Sequence, residues 1–446
     1  MNRIALSRAV TFSGGNAAFI ALLAVLYQET NSAGVVALGA FASFAVPALA
    51  SPVAGWIGDR FDRRRVMVVS ETLGALSFVL MAAFPTAPVV LLILRVAASL
   101  VAAPLMSASV AALPGIVGPR ERLPAANAKL ATAGLSGALV GPLIAAALLL
   151  ISGPSSIFIF NAFTFLASAV ILLSITADFR PPRKHKQTGH AAELAAGFRY
   201  LGRHSVFRPV TVASAILFIG MGFTVPAEVA LCANFRVGAT GYAGLTCFFA
   251  LGGIPGAYLG AGGLSRLSAE PTAVLAVASG VLALGFFVVG LTPLFTLVLI
   301  GMAVAGVADG VWMVAHENLV QRLTPDTIRS RVFAASEAIY LSGISVGLVG
   351  AGCLIAVFGA ASTFQIGAAT AIVGCLVLVG ARTGAGKAAE GRTKPNTRGA
   401  GGPTPVVAPV TGDLKRRTAG VPAGVRRTRL RRFDDTDLLP RPLAER

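Results

Sequence analysis

The sequence predicts an all-α polytopic membrane protein built from two homologous halves of six helices each, and three observations carry that reading. Of its 446 residues 55% are hydrophobic and only 13% charged, with a mean hydropathy of +0.77, far too apolar for a soluble domain of this size. Twelve stretches are long and apolar enough to cross the hydrocarbon core, which takes about 20 residues per helix. Finally, Leu135-Ser136-Gly137-Ala138-Leu139-Val140-Gly141 returns as Leu341-Ser342-Gly343-Ile344-Ser345-Val346-Gly347. The same offset of 206 pairs Gly153 with Gly359, Ser156 with Ser362, Phe158 with Phe364 and Ala162 with Ala368, the mark of an internal duplication in parallel orientation.

The spans are expected at 9–27, 35–57, 66–85, 89–110, 131–151 and 155–176 in the first half. In the second half they fall at 209–231, 241–263, 272–290, 293–315, 334–356 and 363–380. Each is continuously apolar, whereas barrel strands alternate over about ten residues. Glycine, with 50 residues, sits inside the spans, where it allows close helix approach.

The first span follows only Arg3 and Arg8 and has no small-residue cleavage site, so it reads as retained. The segment between the halves, with Pro181-Pro182, a basic run and an amphipathic stretch near 191–202, reads as a linker carrying an interfacial helix. Beyond 381 the composition turns to Arg, Pro, Gly and Thr with no periodic apolar face, the signature of a disordered tail. The organisation expected is therefore a bundle at 1–176, a linker at 177–208, a bundle at 209–380 and a basic tail at 381–446.

Positive residues gather in alternate loops, at Arg60 to Arg65, Arg120 and Arg122, the central linker, Arg266, and Arg322 to Arg331, while the opposite loops hold only Arg236. By the positive-inside rule both termini lie in the cytoplasm of a cell-membrane protein. The formal charge of +18 is then mostly topological. The tail clusters Lys415-Arg416-Arg417 and Arg426 to Arg432 suit an anionic leaflet or a simple solvated extension. Without interleaved aromatics they offer no nucleic-acid module. Cys232, Cys247, Cys353 and Cys375 lack metal or disulfide spacing and are expected as buried thiols, and neither a metal nor a cofactor is expected.

Several motifs stand out. Gly55-Trp56-Ile57-Gly58-Asp59-Arg60-Phe61-Asp62-Arg63-Arg64-Arg65 joins the second and third spans. Gly137, Gly141 and Pro142 place two glycines one turn apart ahead of a proline on the fifth. Arg95 lies about six residues, roughly 10 Å, inside the fourth; both a functional role and snorkelling to the outer face are open to it. The tenth span carries Asp309, Trp312, Met313 and His316 on one helix face, and intramembrane ionisable groups default to a functional hypothesis. Glu228, after Pro226 on the seventh span, is expected near the outer surface, and Asn16 follows Gly15 on the first.

The loop signature at 55–65 resembles that of the major facilitator superfamily, Gly-x-x-x-Asp-Arg-x-Gly-Arg-Arg, with Asp62 in place of its second glycine. This form is similar to the branch holding enterobactin-exporter-like and macrolide-efflux-like permeases. Gln321-Arg322-Leu323-Thr324-Pro325 resembles the stretch after span ten in that branch, and the likeness covers about residues 1–380. It implies that Gly55, Gly58, Asp59, Arg60, Arg63, Arg64 and Arg65 form a conformational latch and that Gly137, Gly141 and Pro142 form an antiporter-like element. Arg95 falls on a partial match to an element of proton-coupled drug exporters. Asn16 stands where related permeases often carry an aspartate, and an amide cannot titrate.

The resemblance implies a monomeric secondary transporter moving a small amphiphilic molecule, drug- or siderophore-like, with protons and across the lipid bilayer. No phosphate-binding Gly-rich loop occurs, which argues against direct ATP hydrolysis. A multi-span membrane enzyme would need clustered catalytic groups, yet three of the four histidines, His185, His190 and His204, fall in the linker and only His316 in a span. A non-transporting sensor or scaffold with the same fold is the remaining alternative.

Overall fold

The computed structural model describes residues 2–117, 123–175, 190–260, 271–325 and 328–393. Residues Met1–Arg392 form one compact unit. Its first half comprises α1 (Asn2–Thr30), α2 (Ala33–Arg60), α3 (Arg63–Ala83), α4 (Pro88–Val117), α5 (Leu123–Ile151) and α6 (Pro154–Leu173). Then come α7 (His190–Arg203), α8 (Phe207–Asn234), α9 (Gly238–Tyr258), α10 (Pro271–Leu291), α11 (Phe295–Leu323) and α12 (Arg329–Thr393).

Ten of these helices are long and apolar enough to cross a membrane, among the described residues. α9 is not one of the ten, and α12 counts once although non-helical Gly359 divides it. Separating 329–358 from 360–393 and adding α9 gives the twelve spans of the all-α fold. α12 runs through Thr393, past the end at 380 expected from composition. α7 occupies the linker stretch expected to be amphipathic, with Leu201 buried and Phe198, Arg199 and Arg203 exposed. The expected tail at 394–446 lies outside the described residues, as do 176–189 and 261–270.

Local chemistry sets the breaks. Gly153 and Gly359 have φ of 75° and 80°, a backbone region open to glycine at little cost, and each turns the chain between consecutive spans. Pro154 follows at the first position of α6, where its missing N–H is no loss. Asp62 caps α3 by accepting a 3.0 Å hydrogen bond from the Arg65 backbone N–H. Its φ of −59° needs no glycine, which explains how the departure from the family signature is accommodated.

Packing repeats at the same offset as the sequence. A methyl group on Gly137 would lie 2.6 Å from the Ala9 carbonyl oxygen and 2.9 Å from Ser13 N, and one on Gly141 would press on Ser13 and Asn16. In the second half Gly343 faces Ala215, Phe218 and Ile219, and Gly347 faces Ile219 and Gly222. Each of these partners is 206 residues beyond a partner in the first half. Gly14 against Thr164 likewise matches Gly220 against Thr370. α5 therefore sits on α1 as the first segment of α12 sits on α8, through backbone contact that any side chain would prevent.

α1 changes character midway. From Ala17 to Leu26 all but Phe19 are buried, at 3% exposure or less, whereas Thr11, Phe12, Ser13, Gly15 and Asn16 are half-buried. At the end of the molecule remote from the N-terminus the halves meet closely, and a methyl on Gly352 would reach within 2.9 Å of Gly34 Cα. The remote half of α1 is closed and the near half lines open space.

Gly137→Val and Gly347→Val are each expected to force the paired helices apart and to lower the melting temperature in detergent, since overpacking costs about 1–3 kcal/mol even where only side chains must move. Gly15→Ala, with nothing within 4 Å of the added methyl, should leave it unchanged. A thermal-shift series on the three purified variants checks this.

Candidate functional site

The near half of α1 forms one wall of a cavity of about 420 Å³, bounded also by α2, α3, α4, α5 and α6. Along α1 its lining runs from Ile4 to Phe19, about 22 Å of helix rise, so it reaches past the middle of the helix. The walls are largely apolar, with Phe12, Phe19, Phe44, Phe78 and Phe165 facing in, and three charged residues line it: Arg8, Glu71 and Arg95.

Glu71, on α3, is 2% exposed and is held by side chains from two other helices. Ser168 on α6 and Thr11 on α1 donate to its Oε1. Ser168 and Ser7 lie 2.6 Å apart; because the Ser168 proton goes to the carboxyl, Ser7 is the donor. Glu71 Oε2 is buried with no partner. Arg8 places its guanidinium 4.9 Å from the centre of the Phe12 ring, a cation–π contact. The Nε atoms of Arg8 and Arg95 are buried and donate to no group among the described residues.

A second, smaller pocket of about 70 Å³ lies between α8, α11 and the start of α12. Trp312 and His316 stack with centroids 5.1 Å apart and planes 7° from parallel. Phe218 meets Trp312 edge-on at 5.2 Å and Tyr340 edge-on at 4.6 Å. Glu317 and Glu337 stand at this pocket, and the indole N–H of Trp312 and hydroxyl of Ser336 are buried without partners. At the offset of 206 the two linings share four positions, matching Phe12 with Phe218, Met106 with Trp312, Leu130 with Ser336 and Arg8 with Ser214. The chemistry has diverged: cations line the first site, acids and a histidine the second.

The structure distributes the residues singled out in the sequence among several places. Arg95 and Asn16 line the larger cavity, Arg95 thus facing inward instead of snorkelling along the lipid; the Asn16 amide donates to Phe12 O at 2.8 Å. Trp312 and His316 line the smaller pocket, but Asp309, one turn away on α11, does not. Glu228 borders neither cavity and is half-buried near the remote end of α8.

Gly137 and Gly141 are buried in the α1–α5 contact, and Pro142 beside them is buried. In the loop motif Arg63 is 8% exposed at the start of α3, Arg60 and Arg65 are exposed, and Arg64 donates to Leu173 O. Gly55, Gly58 and Asp59 are helical, but their side-chain surroundings lie outside the described residues, as does the second-half counterpart at Ser265 and Arg266. Cys353 is exposed, an exception to the buried thiols expected. Among the described residues no group of three His, Cys, Asp or Glu is placed to hold a metal ion.

Sequence reasoning passed over Glu71 and treated Arg8 as a flanking topological charge. The signal for Glu71 was present, because it is the one charged residue in the span expected at 66–85, and a lone carboxyl in such a span faces the interior as a rule.

A model of the Major Facilitator Superfamily matches residues 4–288. The Enterobactin exporter EntS of Shigella boydii serotype 18 is 26% identical over 336 residues, 73% of this chain and 78% of the relative. Its namesake from Shigella boydii serotype 4 is 25% identical over 369 residues, 81% and 86% of the two chains. Among solved structures, the nucleoside transporter NupG superposes with a TM-score of 0.65 at 13% identity, covering 85% of this chain and 98% of its own. A bacterial homologue of the iron transporter ferroportin in the inward-facing state gives 0.66 at 14%, with the same coverages. At these identities the structural likeness speaks for the fold.

Ser168→Ala removes the Glu71 contact to α6 together with the Ser7 hydrogen bond, and is expected to destabilise the protein by about 1–3 kcal/mol. A chemical-unfolding comparison with the wild type measures it; an unchanged midpoint would remove the three-helix tie from the account.

Proposed function

This chain belongs to the major facilitator superfamily, and we propose that it is a secondary active exporter of a small amphiphilic molecule, drug- or siderophore-like, working by alternating access in exchange for protons. One observation carries the reading: a deep cavity begins at the end bearing the N-terminus, while the remote half of α1 is closed and Gly34 meets Gly352 at the other end. Such a cavity receives a solute from one side only, as alternating access requires.

The positive-inside rule assigns the open end to the cytoplasm, with both termini there. The conformation is then the one that loads cargo before export. The relatives named as enterobactin exporters support the outward direction and a membrane transporter over an enzyme. The rocking bodies would be 1–176 and 209–380, joined by 177–208, within a monomer.

α7 ties the linker to the second half. The Tyr200 hydroxyl donates to Leu323 O at 2.7 Å, and Gly197 lies against the Arg331 backbone. In this reading Asp59 and the arginines around it act as the latch at the cytoplasmic end, breaking charge-assisted contacts as the halves rock apart. Asp309, with Trp312 and His316 on the same face, handles the proton in the second half, and Arg95 with Asn16 contacts cargo in the first.

Efflux by a sensitised host, measured over a panel of amphiphilic compounds with and without a protonophore, tests the whole. Protonophore-sensitive export of at least one compound is expected, and its absence across the panel would leave transport by this chain without support. Asp59→Asn should cut that export at least ~10-fold, about 1.4 kcal/mol, with membrane abundance near normal. Asp309→Asn should abolish dependence on the proton gradient; retained proton-driven export would make that aspartate structural.

A further inference from the structure

We propose that Arg8 and Arg95 form an anion site in the larger cavity, so that the molecule carried is an organic anion with an apolar or aromatic body. The inference rests on the transport reading and names the charge of its cargo. Arg8 reaches the cavity from α1 and Arg95 from α4, and each has a buried Nε that donates to no group among the described residues. A cation inside a membrane bundle ordinarily pairs with a carboxylate or a backbone carbonyl, because an unpaired one is costly.

Among the described lining residues the single acid is Glu71; its Oε1 accepts from Ser168 and Thr11, its Oε2 has no partner among the described residues, and neither oxygen pairs with Arg8 or Arg95. Arg8 has an aromatic partner instead: the ring of Phe12, 4.9 Å away. Contact with a ring face leaves in-plane N–H donors unspent, and a guanidinium fork matches the oxygens of a carboxylate, sulfonate or phosphate. Five phenylalanines, Phe12, Phe19, Phe44, Phe78 and Phe165, line the same cavity, which suits a flat apolar body.

The duplicated site shows that the charge belongs to the first half alone. At the offset of 206 the counterpart of Arg8 is Ser214, and the smaller pocket has no arginine or lysine among its described lining residues, only Glu317, Glu337 and His316 as ionisable groups beside Tyr340. The glycine contacts beneath both sites are the same, so the scaffold does not require the cations. They are an addition to one of two surfaces built on the same glycine-packed scaffold.

The test uses the full chain in lipid nanodiscs and three probes sharing one body: naphthoate, naphthalenesulfonate and neutral naphthamide, with affinities read by calorimetry. At least one anion is expected to bind roughly 10-fold tighter than the amide. Arg8→Gln and Arg95→Gln should each remove most of that preference while leaving the amide unchanged. Should a Gln variant fail to fold, Arg8→Lys and Arg95→Lys carry the test, through weakened anion binding at constant amide affinity. Anions that bind no tighter than the amide, that do not bind at all, or that keep their advantage in the variants would overturn the proposal. Binding is read here without flux. A chain that binds naphthoate but exports nothing sinks the transport reading alone, and one that exports anionic compounds equally well without both arginines sinks this proposal alone.

Discussion

The contact between α1 and α5 is the constraint on which the rest of the molecule depends. In lipid there is no hydrophobic force between helices, so association needs dense packing of small residues. Gly137 and Gly141 meet the α1 backbone from Ala9 to Ala17 and fix the rotation of a helix with two duties. One half of α1 is closed into the core from Ala17 to Leu26; the other presents Arg8, Thr11, Phe12 and Asn16 to the cavity.

Duplication copied this device with its geometry intact. Gly343 and Gly347 repeat the contact on α8, and the glycine turns at Gly153 and Gly359 repeat as well. Steric requirements of this kind leave little freedom, because a backbone-to-backbone approach admits only hydrogen at Cα. Cavity-facing positions obey no such rule. Met106 against Trp312, Leu130 against Ser336 and Arg8 against Ser214 show how far two walls can diverge on one scaffold.

Polar groups within the first half divide into those spent on structure and those held in reserve. Ser7, Thr11 and Ser168 are spent on Glu71, joining α1, α3 and α6. In a bundle whose helices satisfy their own backbones, such side-chain ties are among the few polar forces able to set the register of one helix against another. The guanidiniums of Arg8 and Arg95 are not spent in this way: both residues line the cavity, and their buried Nε atoms have no partner among the described residues. The same asymmetry gives each half a distinct electrostatic character, although both derive from one ancestral pattern.

Much of the architecture was legible from the chain alone. Continuous apolar runs can only be helices in lipid, the offset of 206 pointed to two homologous halves in parallel orientation, and the glycines inside the spans pointed to close helix approach. Tertiary structure decided the rest, for one physical reason. A helix apolar on all sides carries no record of its own rotation, so sequence could not say that Arg95 faces the cavity, that Asp309 stands outside the pocket holding Trp312 and His316, or that Glu71 joins three helices. Those directions follow from which neighbours each helix packs against, and they are fixed only when the whole bundle closes.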